Sequence, residues 1–315
     1  MNLAIIYHAY SNTLNLDKSL NSLLQQTDKN FELILCNDGA TEQVTTILKK
    51  IPFTKLAKLF YWHSNQNVGH AITFNNVVTT TTAKYVYYMG SNITLNVDFV
   101  KSINSLIEQY KNADMFMFTA NENTTISVKK FTSINSDLKF FISQSMKRSI
   151  LSTSLLRENH IELEKNRYMP LLFMYQIFSK LNSCILIDKK LASFTKVQSY
   201  SYNLYDIFEA NKILFDRYQK TTFFKKNQTI IKNLIILSIF RFFLVRVYES
   251  YGNSSTTKIA LDRAKKWLDT NINEWRRNSL LNSKKLANTY PVALYISKFK
   301  FKINYLKILT TKVKR

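Results

Sequence analysis

Glycine, proline and cysteine are all scarce here, with 4, 3 and 2 copies among 315 residues. Two cysteines, Cys36 and Cys184, are too few for a disulfide framework or a four-ligand zinc site, which fits a reducing, cytoplasmic setting. The first ten residues, MNLAIIYHAY, lack a basic stretch followed by a long apolar one, so no secretory signal is expected. Acidic side chains are few as well: 21 Asp or Glu stand against 44 Lys or Arg, a formal net charge of +23. What is abundant is apolar and aromatic, 46% and 14% of residues. That excludes wholesale disorder and is enough for one large core or two smaller ones.

The positive charge is unevenly placed. Residues 211–315 hold 23 Lys or Arg against 5 Asp or Glu, an excess of 18. Such a segment attracts phosphates, in anionic lipid or nucleic acid alike. No RNA-binding aromatic motif, zinc knuckle or helix-turn-helix signature accompanies it, so an anionic membrane surface is the expected partner and nucleic acid is not.

One stretch organises the rest: FELILCNDGA, Phe31 to Ala40. Its β-rich run stops at Asn37 and Asp38 and turns at Gly39, which puts a carboxylate at a strand's C-terminal end, where open α/β sheets bind ligands. Taken alone, Asp-Gly more often marks an ordinary turn. Around it, Leu3–Tyr7 forms another compact apolar run before the polar loop His8–Asn15, and Leu16, Leu20, Leu23 and Leu24 recur at helical spacing. A helix over Thr41–Lys50, an apolar run over Ala57–Trp62, a helix over His70–Val78 and a strand over Lys84–Met89 follow. This alternation predicts a parallel, doubly wound sheet.

The order of these pieces resembles family 2 glycosyltransferases. The match runs through LDKSLNSLLQQTDKNFELILCNDGATE, NVGHAITFNN and KYVYYMGSNITL, the first hundred residues or so, with several motifs in register. The resemblance implies a GT-A-type, Rossmann-like mixed sheet flanked by helices, a nucleotide-sugar donor with UDP as its usual carrier, and a pocket for the base lined by His8, Ala9, Tyr10 and Asp38. It also puts Asn67 and Ser91 beside the nucleotide and matches Asn75 to a family position on the following helix. Asn67 and Asn75 serve equally well as caps and turn formers.

Two departures from the family pattern concern the chemistry. The family follows its fourth strand with an Asp-x-Asp type motif that holds Mg or Mn against the donor diphosphate. The aligned run here is Met89-Gly90-Ser91-Asn92-Ile93, with Asn92 as a neutral, weak candidate for the metal. The position where the family commonly carries Arg is Phe74. The family's acidic pair before an apolar helix, one member of which is the general base, aligns with Arg167 and Tyr168, leaving Glu162 and Glu164 as replacement bases. Lys147, Arg148 and Arg167 are candidates to neutralise a diphosphate without metal. The resulting expectation is a transferase acting on a cell-surface polysaccharide, glycolipid or glycoprotein. The alternative is a catalytically inactive subunit supporting a partner transferase.

Further along, Asp114–Phe118 reads as a strand, Asn121–Asn135 as a polar connection, Leu138–Leu156 as helical and Ser183–Ile187 as a closing strand. The predicted division is a transferase-like domain at 1–203, split at residue 125 into donor and acceptor halves, and a helical basic extension at 204–315. Thr229–Tyr248 is long enough to span a bilayer, but it includes Lys232, Arg241 and Arg246, and a central Arg or Lys costs about 2.5–3.5 kcal/mol, so a buried or interfacial helix is expected. Ala260, Ala264, Trp267, Leu268, Asn271 and Trp275 share a helical face suited either to a membrane interface or to a core. Lys298, Lys300 and Lys302 alternate with apolar residues in the basic tail. Together these features place the chain at the inner face of the cell membrane.

Overall fold

The computed structural model describes residues 1–10, 15–119, 128–131, 146–165, 169–195, 205–244, 247, 250–252 and 254–275. They fall into two compact units, one within residues 1–200 and the other within 201–315.

In the first unit β1 (Leu3–Ala9), α1 (Leu16–Leu24), β2 (Glu32–Asp38), α2 (Glu42–Lys50), β3 (Leu59–Ser64), α3 (His70–Thr80) and β4 (Tyr85–Gly90) alternate. Then come β5 (Ile93–Leu95), α4 (Phe99–Gln109), β6 (Met115–Phe118), β7 (Val128–Phe131), β8 (Ser149–Ser152), α5 (Thr153–Glu158), α6 (Met169–Lys180), β9 (Cys184–Ile187) and β10 (Ala192–Phe194). Eight strands share one sheet in the order β3-β2-β1-β4-β8-β6-β9-β7, while β5 and β10 pair separately. β1 lies inside the sheet, paired on both edges, and its apolar run Leu3–Tyr7 suits a parallel strand covered on both faces.

The sheet is mixed. β3, β2, β1 and β4 run parallel, and β8 enters antiparallel between β4 and β6. The helix expected over Leu138–Leu156 is therefore corrected where it is described. Ser149–Ser152 is a fully buried strand and only Thr153–Glu158 is α-helical. A four-residue run, Ser-Ile-Leu-Ser, has no period to read, and pairing on both edges decides it. Likewise Val128–Phe131, inside the expected polar connection, pairs antiparallel with β9, so Cys184–Ile187 does not close the sheet.

Aromatic rings fill the space between β4, β6 and α4: Tyr87, Phe99 and Phe118 lie with centroids 5.0–6.1 Å apart, each fully buried. At about 1.5–3 kcal/mol per buried ring, this cluster is a main anchor of the sheet.

In the second unit α7 (Asp206–Tyr218), α8 (Thr222–Lys226), α9 (Gln228–Leu237), a π-helical turn at Ser238–Leu244 and α10 (Ser255–Asn271) pack together. Thr229–Tyr248 is interrupted at Ser238, where the Ser238 hydroxyl pairs with the buried Asn211 of α7. Ile231, Ile235, Ile236, Ile239 and Phe243 are all buried. Of the two readings for the Trp267–Trp275 face, the core prevails: Ala260, Ala264 and Leu268 are inaccessible, Trp275 is 2% exposed, and the Trp267 ring lies 5.9 Å from Phe208. Among the described residues no helix is long and apolar enough to cross a membrane. The basic tail beyond residue 275, with Lys298, Lys300 and Lys302, lies outside the described residues.

Candidate functional site

β2 and β3 lie on one side of β1 and β4 on the other, so the strand order reverses between β1 and β4. Side chains leaving the C-terminal ends of strands at such a switch point have no crossing helix above them, and a crevice results. His8, Ala9 and Tyr10 leave β1 there, Asp38 ends β2, Gly90 ends β4, and Ser91 and Asn92 follow it. Tyr10 is 42% exposed, an aromatic face open to a ligand, whereas Ala9 is buried at 3%.

Asp38 is the structural centre of this edge. It is fully buried, and its carboxylate accepts four hydrogen bonds. Val68 N–H donates to Oδ1 at 2.7 Å, while Gly69 N–H, Asn67 Nδ2 and His8 Nε2 donate to Oδ2 at 2.9, 3.1 and 2.9 Å. Because a carboxylate only accepts, the His8 proton in this contact resides on Nε2. α3 begins at His70 with Gly69 as its cap and no side-chain cap of its own, so Asp38 supplies the negative charge its N-terminus favours. Gly39, at φ +59°, lets the Gln66–Asn67 backbone pass so closely that a Cβ would lie 2.5 Å from the Gln66 carbonyl carbon. The expectation that Asp38 faces the pocket directly thus meets a carboxylate with no exposed surface, held by the loop 67–69. Asn67 is exposed and belongs to that loop.

A residue without a signal in the sequence joins this group. The His70 ring lies 4.8 Å from that of His8 and 6.5 Å from that of Tyr88. Phe74, one turn further on, packs edge-on against Tyr88 and Phe173 and is 1% exposed, so an apolar contact occupies the helix position where the resemblance leads one to expect Arg. Burial lowers the pKa of His8 despite the Asp38 contact. The His70 side chain keeps solvent access, yet partial desolvation beside His8, then the His8 and Lys147 charges, draws it from 6.5 down to about 4 against the pull of Asp38. The folded chain therefore releases protons that the unfolded chain binds below pH 6.5. Stability is full above that pH and is expected to fall modestly as the pH drops toward about 4, because His70 is exposed and water screens much of its charge. Thermal melts between pH 7 and 4 should show the decline, flattened in His70→Gln; parallel curves for the two proteins would contradict it.

The turn after β4 is pinned from two sides. From α1, Ser19 Oγ donates to the carbonyls of Gly90 and Ile93 at 3.2 and 2.6 Å, and the Ser22 hydroxyl accepts Leu95 N–H at 3.1 Å. Gln26, 2% exposed, donates to Asn96 O and accepts from Val100 N–H, which gives the Gln-Thr turn a physical role as a bracket for the following segment. From the other side Thr195 N–H donates to Asn92 O at 2.9 Å. Ser91 is 9% exposed at the crevice edge. The donors near β4 are thus a hydroxyl and an amide, and among the described residues no three His, Cys, Asp or Glu side chains gather for a metal. Neutral oxygens do not fit a hard dication, which prefers carboxylates.

The acidic segment is tied to the same helix. Asn75 Nδ2 donates to Leu163 O at 3.0 Å and Asn75 Oδ1 accepts Leu163 N–H at 2.9 Å, a two-way clasp that fixes the backbone between Glu162 and Glu164. Glu164 is half-buried and its Oε1 accepts from Gln176 Nε2 at 3.3 Å, whereas the Glu162 side chain is exposed. Asn75 is six residues beyond Gly69, roughly 9 Å along the helix axis. Arg167 and Tyr168 lie outside the described residues. Neither cysteine is a nucleophile: both are buried, and burial pushes the Cys36 thiol up to about 12.

Comparison with known proteins gives concordant results. The sequence profile described as "Glycosyl transferase family 2" matches residues 4–161. An "Uncharacterized glycosyltransferase" from Rickettsia bellii is 33% identical over 75 residues, 24% of this chain and 10% of that protein. "Glycosyltransferase GlyA" from Streptococcus pneumoniae is 26% identical over 109 residues, 35% and 15% respectively. The chain thus spans a small part of these curated relatives. Among solved structures, S. aureus TarS 1-349 in complex with UDP-GlcNAc superposes with a TM-score of 0.70 at 17% identity, covering 98% of this chain and 90% of that one. The mannosyltransferase PcManGT from Pyrobaculum calidifontis, in complex with GDP-Man and Mn2+, gives 0.55 at 11% identity, covering 99% and 88%. At these identities the structural likenesses carry the fold, a GT-A-type mixed sheet.

Proposed function

Since the chain belongs to glycosyl transferase family 2, we propose that it transfers a sugar from a uridine-diphosphate donor to an acceptor hydroxyl. The observation that carries this reading is the convergence of Tyr10, the Asp38-held loop and Ser91 on the switch-point crevice between β1 and β4. Tyr10 stacks on the base, Asp38 and His8 position the 67–69 loop around it, and Ser91 borders the phosphates. The UDP-GlcNAc complex of the structurally similar TarS supports the choice of UDP. In the reaction the acceptor oxygen attacks the anomeric carbon as the bond to the diphosphate breaks, and Glu164 takes the hydroxyl proton. The half-buried, oriented Glu164 suits that task better than the solvated Glu162.

The acceptor class is a cell-surface polysaccharide, glycolipid or glycoprotein. The excess of 18 positive charges over residues 211–315 supports attachment to an anionic membrane surface, where lipid-linked acceptors are found.

Calorimetric titration with UDP and UDP-sugars, followed by an assay for released UDP, tests the reading. Tyr10→Ala should weaken UDP binding about 5- to 100-fold, the range of one base–aromatic stack. Undiminished binding in that variant would remove Tyr10 from the site. Tight binding without turnover for any sugar and acceptor would favour a supporting subunit instead.

A further inference from the structure

A diphosphate leaving group needs positive charge beside it, and the turn after β4 offers only a hydroxyl and an amide. The strand that enters antiparallel next to β4 brings that charge. In the β4–β8 register Tyr87 faces Ile150 and Val86 faces Leu151, so the residues just before β8 run toward the same end of the sheet as Gly90–Asn92. Those residues are Met146-Lys147-Arg148, a single 3-10 turn.

Two contacts fix the turn in place. The Tyr87 hydroxyl donates to the Lys147 carbonyl at 2.8 Å, which anchors the turn to β4 itself. The Arg148 guanidinium lies 5.2 Å over the Phe194 ring, and the next residue, Thr195, is the one whose N–H holds Asn92 O. Lys147 and Arg148 are both half-buried, so their charges are only partly screened by water. Two cations thus border a strand end that lacks carboxylates.

We infer that Lys147 and Arg148 bind the donor's diphosphate and neutralise it as it leaves, in the role a divalent cation takes where carboxylates hold one. This rests on the reading of the crevice as the donor site. Arg presents a planar fork to phosphate oxygens and Lys a compact charge, so the two stabilise a diphosphate without a bridging ion.

The test compares uridine with UDP in EDTA. The intact chain should bind both, UDP more tightly, with no change when Mn²⁺ replaces EDTA. Lys147→Ala and Arg148→Ala should each weaken UDP roughly tenfold or more, as expected for a charge-assisted hydrogen bond, and leave uridine unchanged. Lys147→Arg should recover most of the loss. Uridine binding with UDP no tighter, or UDP binding that requires Mn²⁺, would overturn the inference and leave the donor-site reading standing. Failure to bind either ligand would remove both. The comparison of uridine with UDP needs no variant, so it decides even if an alanine variant fails to fold.

Discussion

Asp38→Asn is expected to lower the melting temperature by roughly 5–10 °C, although it changes a single atom from oxygen to nitrogen. Both oxygens of Asp38 accept from protein donors in a site without water access, four donors in all. An asparagine retains one acceptor. Whichever way its amide points, an NH₂ group then faces either the Val68 N–H or the trio of Gly69, Asn67 and His8. A buried donor opposed to a donor costs about 1–3 kcal/mol, more when a charge is lost with it. The effect should extend to function, because the loop 67–69 and the His8 ring would lose their common anchor. Calorimetric melting, with UDP titration at a temperature where the variant is folded, checks both. An unchanged melting temperature would show that the four contacts carry no net energy.

Glu164→Gln should reduce kcat by about 10²–10⁴-fold while the donor KM stays within a few-fold, the pattern for loss of a general base. Glu162→Gln should be near wild type, since that side chain is exposed. The contrast matters because glutamine preserves the size of Glu164 and the contact with Gln176, so a fall in kcat cannot be laid to collapse of the segment. Equal rates for Glu164→Gln and the parent would take Glu164 out of the reaction.

The parallel half of the sheet was legible because its strands are continuous apolar runs and its helices are amphipathic. β1, β2 and β4 start and stop within a residue or two of their sequence-based limits. β8 was not legible: SILS is too short to show a period, and its conformation is decided by β4 and β6 on either side. At the site, the importance of Asp38 could be read from its place at a strand end, but its engagement by backbone N–H groups from residues 68 and 69 could not. A contact across 30 residues leaves no local pattern. The role of His70, and the partner of Asn75, a residue the resemblance had marked, were hidden for a similar reason. A lone histidine at a helix start and an asparagine inside a helix are ordinary residues until His8 and Leu163 are brought against them. The Trp267–Trp275 face shows the converse, a pattern that fits two environments equally and is settled only by packing against Phe208.

The Asn75 clasp has a consequence for which changes of length this chain can accept. Between Gly69, held by Asp38, and Asn75, held to Leu163, α3 acts as a spacer of fixed length and fixed phase. Inserting or deleting one residue there would turn Asn75 by about 100° and slide it about 1.5 Å, away from both partners on Leu163. Substitutions on the outer face of that stretch leave the spacing untouched. Insertions are therefore excluded from the first two turns of α3, whereas connections not held at both ends can vary in length.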